Sequence, residues 1–259
     1  WQVVRQGWDH PTVLATALED FLRENLPFRQ QLREGVLGLR MLGGSVEENG
    51  LCLLENGLIP ILEVTDDATI HRGNTRQILR VVQQSDTPAY LMLLPTACAI
   101  YADDLPGYLP LYNQRNFIES TYQQFYGSAV TVDAYNALLY SESDYLYYRT
   151  EDSLAPLGGY EVYQALAPRL GFTETPLEQY EVSYLDHSYY GGLYDQWSYG
   201  GVRPDVITVY RDASSQAVSR VVNWERFSQQ TYYTLYPEEA AASGEAMDAI
   251  LGGEAPRIE

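Results

Sequence analysis

The sequence predicts an α/β protein in which helices cover a mostly parallel central sheet and β-hairpins lie at the periphery. Two observations support this fold class. Helix-like and strand-like patterns alternate between residues 69 and 170, as in proteins whose parallel strands are connected by helices. From residue 173 onward, glycine pairs separate short β-type segments, which is typical of hairpins. With 259 residues, the chain can bury about 70–75% of the surface of its unfolded form.

The first part of the chain predicts a helical segment followed by a hairpin. Apolar side chains recur at helical spacing within residues 11–40, with an interruption at Pro27, and a glycine pair ends the pattern. We therefore assign residues 1–45 to an N-terminal helical segment. Two apolar runs then flank Asn56-Gly57, a dipeptide that favours a tight turn between antiparallel strands.

The middle of the chain predicts three helices and three strands of the central sheet. The strands are expected at 89–94, 129–132 and 145–149, and the helices at 69–84, 114–126 and 156–170. Functional loops in such sheets follow the carboxyl ends of the strands. The loops after Leu94 and Tyr148 are therefore the first places to search for a site.

The last third of the chain predicts a hairpin insertion and a tail. Residues 173–235 contain β-type segments at 206–210 and 217–222, which we assign to a peripheral hairpin insertion. Residues 237–259 are expected to form a tail, whose first part, 237–251, is either a short helix or irregular. The whole chain is thus predicted to be a single domain over residues 1–259.

The charge balance excludes two classes of partner. The chain carries 35 acidic residues against 16 basic ones, all of them Arg, which gives a formal net charge of −19. Nucleic acid and anionic lipid surfaces are bound through clustered positive charge, so we expect neither as a partner. The simplest role of the acidic residues is to keep the surface solvated.

The 23 tyrosines are the second unusual feature of the composition. Runs such as Tyr145-Leu146-Tyr147-Tyr148 suit half-buried strands, so the simplest interpretation is a β-rich core and its rim. Tyrosine is also common on surfaces that bind sugars or proteins, because its ring stacks while its hydroxyl group forms hydrogen bonds. The composition leaves both interpretations open.

Cysteine and histidine usage gives no sign of a metal or cofactor site. Cys52 and Cys98 each lie in an apolar run, where a buried free thiol is expected, and we predict that they are not bonded to each other. The three histidines are scattered, and no metal-binding spacing occurs. We therefore expect no metal and no cofactor. No apolar stretch is long enough to span a membrane.

The loop after Tyr148 carries the most specific pattern in the chain. It reads Arg149-Thr150-Glu151-Asp152-Ser153-Leu154 and leads into a helix that begins near Gly158-Gly159-Tyr160. This resembles the DHHW family of bacterial extracytoplasmic proteins, in which a strand runs into Arg-Thr-Asp-His-His-Trp and then a helix beginning near Gly-Ala-Tyr. Further segments that resemble the family, in the family's order, are Pro27-Phe28-Arg29, Leu93-Leu94-Pro95-Thr96-Ala97, Tyr189-Tyr190-Gly191-Gly192 and Val202-Arg203-Pro204-Asp205.

The resemblance implies an SGNH-hydrolase-like α/β/α sandwich, related to the alginate O-acetylation proteins. In those relatives the motif's Asp and its second His belong to a catalytic triad for acyl transfer, whose serine comes later in the chain. Arg149 and Thr150 match the motif. The other four positions differ, with Glu151 in place of Asp, Asp152 and Ser153 in place of the two His, and Leu154 in place of Trp.

The replaced positions decide the expected chemistry. Without an imidazole at Ser153, the motif has no group with a pKa of about 6.5 that can act as general base. His187 in the predicted hairpin is an alternative imidazole. No serine elbow precedes Glu259, so either the chain is truncated before the serine-bearing strand or the protein never carried the nucleophile. We therefore assign no catalytic residue.

A groove is expected at the carboxyl edge of the sheet, because the loops after Leu94 and Tyr148 both emerge there. The residues expected in or beside it are Thr96, Tyr148, Arg149 and Thr150 as binding candidates, with the degenerate motif positions Glu151, Asp152 and Ser153.

Three functions remain open from the sequence. The first is a non-catalytic extracytoplasmic protein that binds a carbohydrate, a cell-wall polymer or a cell-envelope protein. The second is an acyl-ester hydrolase or O-acetyltransferase that acts on a cell-surface polysaccharide. The third is a purely structural or assembly component. The chain begins at Trp1, so a signal peptide or an N-terminal anchor is expected upstream, unless this is a cloning boundary.

Overall fold

The structure, a computed structural model, contains helices and both parallel and antiparallel strands. It describes residues 35, 47–62, 68–197, 201–212, 220–225, 228–237, 250, 252–253 and 255–259. The strands are β1 (Glu47–Glu48), β2 (Leu51–Leu54), β3 (Gly57–Pro60), β4 (Tyr90–Met92), β5 (Val130–Val132), β6 (Tyr180–Tyr189), β7 (Asp205–Asp212), β8 (Val221–Trp224), β9 (Gln229–Tyr232) and β10 (Arg257–Ile258). The α-helices are α1 (Ala68–Gln84), α2 (Ala97–Ile100), α3 (Gln114–Gln124), α4 (Ala134–Leu139), α5 (Pro156–Leu166) and α6 (Gly192–Gln196).

The three helices predicted for the middle of the chain are confirmed as α1, α3 and α5. The side chain of Asn113 begins α3 by accepting a hydrogen bond from the backbone N–H of Asn116, at 2.9 Å. Pro156 opens α5, where its missing N–H group costs no hydrogen bond. A 3₁₀ turn, Ala167–Leu170, continues α5 to the end of the predicted helix.

The predicted hairpin is confirmed, although its turn lies one residue earlier. β2 and β3 are antiparallel, with Leu54 opposite Gly57, so Glu55 and Asn56 form the turn. Gly57, the first residue of β3, has φ +125°. Glycine adopts this backbone conformation readily and other residues rarely do, so glycine suits the position directly after the turn. A second turn, at Asn49-Gly50, joins β1 to β2.

The parallel part of the sheet is smaller than the sequence predicts. β4 and β5 are parallel, with Tyr90 opposite Val130, and the other strand pairs of the described residues are antiparallel. α3 lies between these two strands in the chain. Its Tyr122 hydroxyl accepts a hydrogen bond from Leu93 N–H at 2.9 Å and donates one to Val132 C=O at 2.7 Å. This residue thereby ties the helix to the carboxyl ends of both strands.

The predicted strand at 145–149 is wrong. These residues form an irregular segment with a single isolated bridge. The physical reason is that their backbone groups make single hydrogen bonds to scattered partners and form no continuous ladder with one strand. Arg149 C=O accepts a hydrogen bond from Leu58 N–H at 2.8 Å, and Arg149 N–H donates one to the Asp205 carboxylate at 2.7 Å. A hairpin and a side chain thus replace the expected sheet ladder.

The predicted hairpin insertion contains two antiparallel pairs. β6 pairs with β7, which contains the predicted 206–210 strand, and the register shifts near Tyr184 and Asp186. β8 overlaps the end of the predicted 217–222 segment and pairs with both β9 and β10. The predicted tail therefore ends in a strand. The short helix that is one alternative for its start and the N-terminal helical segment 1–45, apart from residue 35, lie outside the described residues.

The chain divides into two compact units. One comprises Trp1–Val46 and Trp197–Gly201, and the other comprises Glu47–Gln196 and Val202–Glu259. All the strands and helices named above belong to the second unit. The organisation of residues 1–259 as a single domain stays a prediction.

Cys52 in β2 and Cys98 in α2 are both buried and free, in agreement with the sequence. Burial raises the pKa of Cys52 to about 11, with help from the nearby charge of Glu47. Burial also raises the pKa of Cys98. Both groups are therefore neutral thiols at neutral and mildly alkaline pH, and a neutral thiol is a poor nucleophile.

We expect neither cysteine to react with Ellman's reagent at pH 8 while the protein is folded, because both are buried and protonated. Guanidinium without reductant should then release two thiols per chain. A titre below two in guanidinium would indicate a disulfide bond. Rapid reaction of the folded protein would contradict the burial.

Candidate functional site

Asp205, the first residue of β7, holds the motif segment in place. Its carboxylate is 0% exposed. It accepts hydrogen bonds from the Tyr145 hydroxyl at 2.5 Å, Arg149 N–H at 2.7 Å, Thr150 N–H at 2.8 Å and the Thr150 hydroxyl at 2.5 Å. The Arg149 guanidinium lies 4.0 Å away. A buried carboxylate is stable only where such donors replace water, so the segment is folded around this side chain.

Thr150 connects the same segment to the end of β6. Its Oγ1 accepts a hydrogen bond from Gly191 N–H at 3.0 Å, and its C=O accepts one from Leu193 N–H at 2.9 Å. With its own N–H and hydroxyl bonded to Asp205, Thr150 is 0% exposed and all its polar groups are paired. Thr150 is therefore a framework residue, and a ligand has no access to it.

Glu151 occupies the position of the motif's Asp and retains a carboxylate there. This carboxylate accepts a hydrogen bond from Gly192 N–H at 2.7 Å. The neighbouring Gly191 is so close that an added Cβ would lie 2.9 Å from Thr150 C=O and would overlap the Glu151 side chain. Glu151 thus holds a backbone turn, where the motif's Asp would orient an imidazole.

Asp152 and Ser153 occupy the two histidine positions. Burial raises the pKa of Asp152, and the charge of Glu151 raises it further. Ser153 Oγ is buried and has no hydrogen-bond partner among the described residues. Of the described histidines, His71 stacks on Phe117 with ring centroids 4.6 Å apart, and His187 is exposed and stacks on Tyr184 at 5.3 Å.

Thr96 follows Pro95, a residue that is hydrogen-bonded to the motif segment through Tyr147. The buried Tyr147 hydroxyl donates to Pro95 C=O at 2.8 Å, which connects the motif segment to the residue before Thr96. Thr96 itself is bonded to Gln114, which accepts from Thr96 N–H at 2.9 Å and donates to Thr96 Oγ1 at 2.7 Å. The N–H and hydroxyl groups of Thr96 therefore hold the loop after β4 against the start of α3.

A cavity of about 350 Å³ lies beside the motif segment, between α5 and the β6–β7 pair. Leu154, at the position of the motif's Trp, lines it together with the start of α5. Six tyrosines line the same space, and we call it the tyrosine cavity; they are Tyr148, Tyr160, Tyr163, Tyr180, Tyr210 and Tyr236. None of the described residues that line it is charged.

The tyrosine rings of this cavity contact one another. The Tyr160 ring centroid lies 6.0 Å from that of Tyr163 and 6.3 Å from that of Tyr180, which lies 6.4 Å from that of Tyr210. Thr175 fixes two hydroxyl groups, because its C=O accepts from Tyr160 and its N–H donates to Tyr163. The pKa of Tyr148 is raised to about 12, mainly by burial and to a smaller extent by the negative charge of Asp205. The cavity is thus a neutral, largely aromatic surface with oriented hydroxyl groups.

The structure distributes the predicted site residues over several environments. Tyr148 lines the tyrosine cavity, whereas Arg149 lines a separate polar cleft. Thr150 is buried under Asp205, and Thr96 is bonded to α3. Sequence reasoning missed the central role of Asp205. Two signals were present, because Asp205 ends the Val202-Arg203-Pro204-Asp205 segment that resembles the family and directly precedes the apolar 206–210 run.

The described part of the chain offers no cluster of three or more His, Cys, Asp or Glu that could hold a metal ion. Within the same residues, no helix is long and apolar enough to cross a membrane.

The model of the DHHW protein family matches residues 64–244, which include the motif segment and both walls of the tyrosine cavity. The chain belongs to the DHHW family. A sequence search of curated proteins finds no match.

Solved structures show the same fold. A DHHW family protein from Eubacterium siraeum has a TM-score of 0.61 at 19% identity, over 82% of this chain and 71% of that one. Bacillus cereus PatB1 with a sulfonyl adduct has a TM-score of 0.64 at 12% identity, over 83% of this chain and 73% of that one. The O-acetyltransferase domain of Pseudomonas putida AlgJ is a weaker match, with a TM-score of 0.47 at 15% identity, over 64% of this chain and 66% of that one. The fold of this DHHW protein is therefore SGNH-hydrolase-like, as the resemblance implied.

We expect Asp205→Asn to lower the free energy of unfolding by about 2–5 kcal/mol, because an amide group turns one of the two acceptor oxygens into a donor that faces N–H groups. Urea unfolding followed by circular dichroism measures the change. Asp86→Asn, at an exposed position, is the matched control and should change stability by less than about 0.5 kcal/mol. Equal effects of the two variants would show that Asp205 does not organise the segment.

Proposed function

We propose that this DHHW protein acts outside the cytoplasm, in the cell envelope, where it binds a carbohydrate or a cell-wall polymer without turning it over. The observation that carries this proposal is the arrangement of the motif positions. Glu151 holds the backbone of Gly192, and Ser153, at the position of the catalytic His, has a buried hydroxyl group with no hydrogen-bond partner among the described residues.

Acyl transfer by this motif needs a general base that takes a proton from the attacking oxygen. General acid–base catalysis contributes on the order of 10²–10⁴ to the rate of such reactions. A serine hydroxyl beside carboxylates keeps its ordinary weak acidity, and the motif positions 151–153 carry no imidazole to change it. The lack of an activated nucleophile at these positions therefore supports a binding role.

The tyrosine cavity supports a carbohydrate as the ligand. Its volume of about 350 Å³ lies within the range of about 300–1,000 Å³ that ligand pockets occupy. Tyrosine rings stack on the apolar faces of sugar rings, while their hydroxyl groups exchange hydrogen bonds with sugar hydroxyls. The uncharged lining, in a chain of net charge −19, favours an uncharged ligand over a polyanion.

The second candidate function is hydrolysis or transfer of acyl esters on a cell-surface polysaccharide. It is favoured by the PatB1 structure, in which a protein of the same fold carries a sulfonyl adduct. The two candidates differ in one property, since only the enzyme needs an activated nucleophile. Covalent labelling therefore separates them.

We expect the purified protein to show no turnover of aryl acetates or acetylated polysaccharide above the buffer rate, because no base activates Ser153. Mass spectrometry should also find no adduct after treatment with phenylmethylsulfonyl fluoride. Ser153→Ala is the control and should behave like the native chain. Turnover or labelling that disappears in Ser153→Ala would overturn the non-catalytic proposal and make Ser153 a nucleophile.

We expect the protein to bind neutral cell-wall oligosaccharides, such as the tetramer of N-acetylglucosamine, in isothermal titration calorimetry. Tyr160→Ala should weaken this binding about tenfold, because it removes a stacking surface worth about 1.4 kcal/mol. Tyr126→Ala is the matched control, since Tyr126 is 92% exposed and does not line the cavity. Equal affinities of the two variants would place the ligand elsewhere.

A further inference from the structure

A polar cleft of about 310 Å³ lies next to the motif segment, and three separate parts of the chain form it. They are the turn between β2 and β3, the segment that leads into the motif, and the segment before β7. We call it the arginine cleft; its lining residues are Glu55, Asn56, Asp144, Tyr145, Arg149 and Arg203. It shares no lining residue with the tyrosine cavity.

Arg149 is fixed on one wall of the arginine cleft. Its guanidinium lies over the Tyr145 ring, 4.3 Å from the centroid, and its Nη1 donates to Pro204 C=O at 3.5 Å. The side chain is 23% exposed. Stacking covers the face of a guanidinium but leaves the N–H groups at its edge free to bind acceptors. The arginine is therefore oriented in advance, with donors left for a ligand.

Arg203 is the second cation of the cleft. Its Nη2 donates a hydrogen bond to Glu55 C=O, at the long distance of 3.5 Å. A guanidinium has five N–H donors, and the hydrogen bonds between described residues use one donor of Arg149 and one of Arg203. Two guanidinium groups that line one cleft offer N–H donors to the two oxygens of a carboxylate, a group that guanidinium binds in a forked geometry.

The other charges of the cleft select against a simple anion. Glu55 and Asp144 line the same space, so the four charged side chains of the lining sum to zero. The buried Asp205 carboxylate, 4.0 Å from the Arg149 guanidinium, adds one negative charge behind the lining. The whole chain carries −19, so its long-range field repels any ligand of net negative charge. A ligand with one charge of each sign and no net charge avoids this repulsion, and both of its groups find an opposite charge in the cleft.

We propose that the arginine cleft binds a small zwitterion in which a carboxylate and an ammonium group stand close together, as in an α-amino acid. Its carboxylate accepts hydrogen bonds from Arg149 and Arg203. Its ammonium group donates to the carboxylates of Glu55 and Asp144. This site does not depend on the ligand of the tyrosine cavity or on the absence of turnover.

The test is isothermal titration calorimetry of the full chain at pH 7 and low salt, with glycine, acetate and methylammonium as separate ligands. Glycine should bind saturably, and acetate and methylammonium should each bind at least tenfold more weakly, because each carries only half of the charge pattern. Acetate that binds as tightly as glycine would overturn the zwitterion. The absence of saturable binding of glycine would overturn the site.

Variants locate the binding. Arg203→Gln and Glu55→Gln each remove one charge from an exposed side chain and should each weaken glycine binding about tenfold. Arg76→Gln is the matched control, because Arg76 is exposed on α1, outside the cleft, and its loss changes the net charge as Arg203→Gln does. An equal loss in Arg76→Gln would show that glycine responds to overall charge, which would contradict the proposal.

Discussion

The buried carboxylate of Asp205 is the interaction on which both cavities depend. Transfer of a carboxylate from water into a protein interior costs several kcal/mol even after relaxation, so its donors must stay in place. Those donors belong to Tyr145, Arg149 and Thr150, and they fix the backbone between them. Tyr148 and Arg149 both lie within this stretch of backbone. Tyr148 lines the tyrosine cavity, and Arg149 lines the arginine cleft. The Asp205 carboxylate therefore positions one lining residue of each cavity.

Two glycines let other parts of the chain approach this segment closely. An added Cβ at Gly57 would overlap the backbone of Arg149, which accepts the hydrogen bond from Leu58. An added Cβ at Gly191 would overlap Glu151. The β2–β3 hairpin and the end of β6 can thus contact the motif backbone directly. Backbone hydrogen bonds, which do not depend on side-chain type, then hold the segment from both directions.

The sequence predicted the parts of the fold that local rules determine. Apolar periodicity identified α1, α3 and α5, and Asn56-Gly57 identified the first hairpin. The strand at 145–149 was wrong because its apolar and aromatic pattern describes burial but not hydrogen-bond partners. Its principal partner is Asp205, which is 55 residues from Thr150. The resemblance located the motif. It could not predict that the side chains of Tyr148 and Arg149 line different cavities, because this depends on the distant contact with Asp205, which no local pattern contains.

The motif positions that match the family and those that are replaced differ in their contacts with Asp205. Arg149 and Thr150 match the family motif, and both donate their backbone N–H groups to Asp205. The hydroxyl of Thr150 adds a bond that few other side chains could form. Asp152 and Ser153 make no comparable contribution, since the Ser153 hydroxyl has no partner among the described residues. The hydrogen bonds to Asp205 thus use Arg149 and Thr150, and they form here without an imidazole at position 152 or 153. The function proposed above requires this folded segment and its two cavities, and it does not require the imidazoles that the family motif carries at positions 152 and 153.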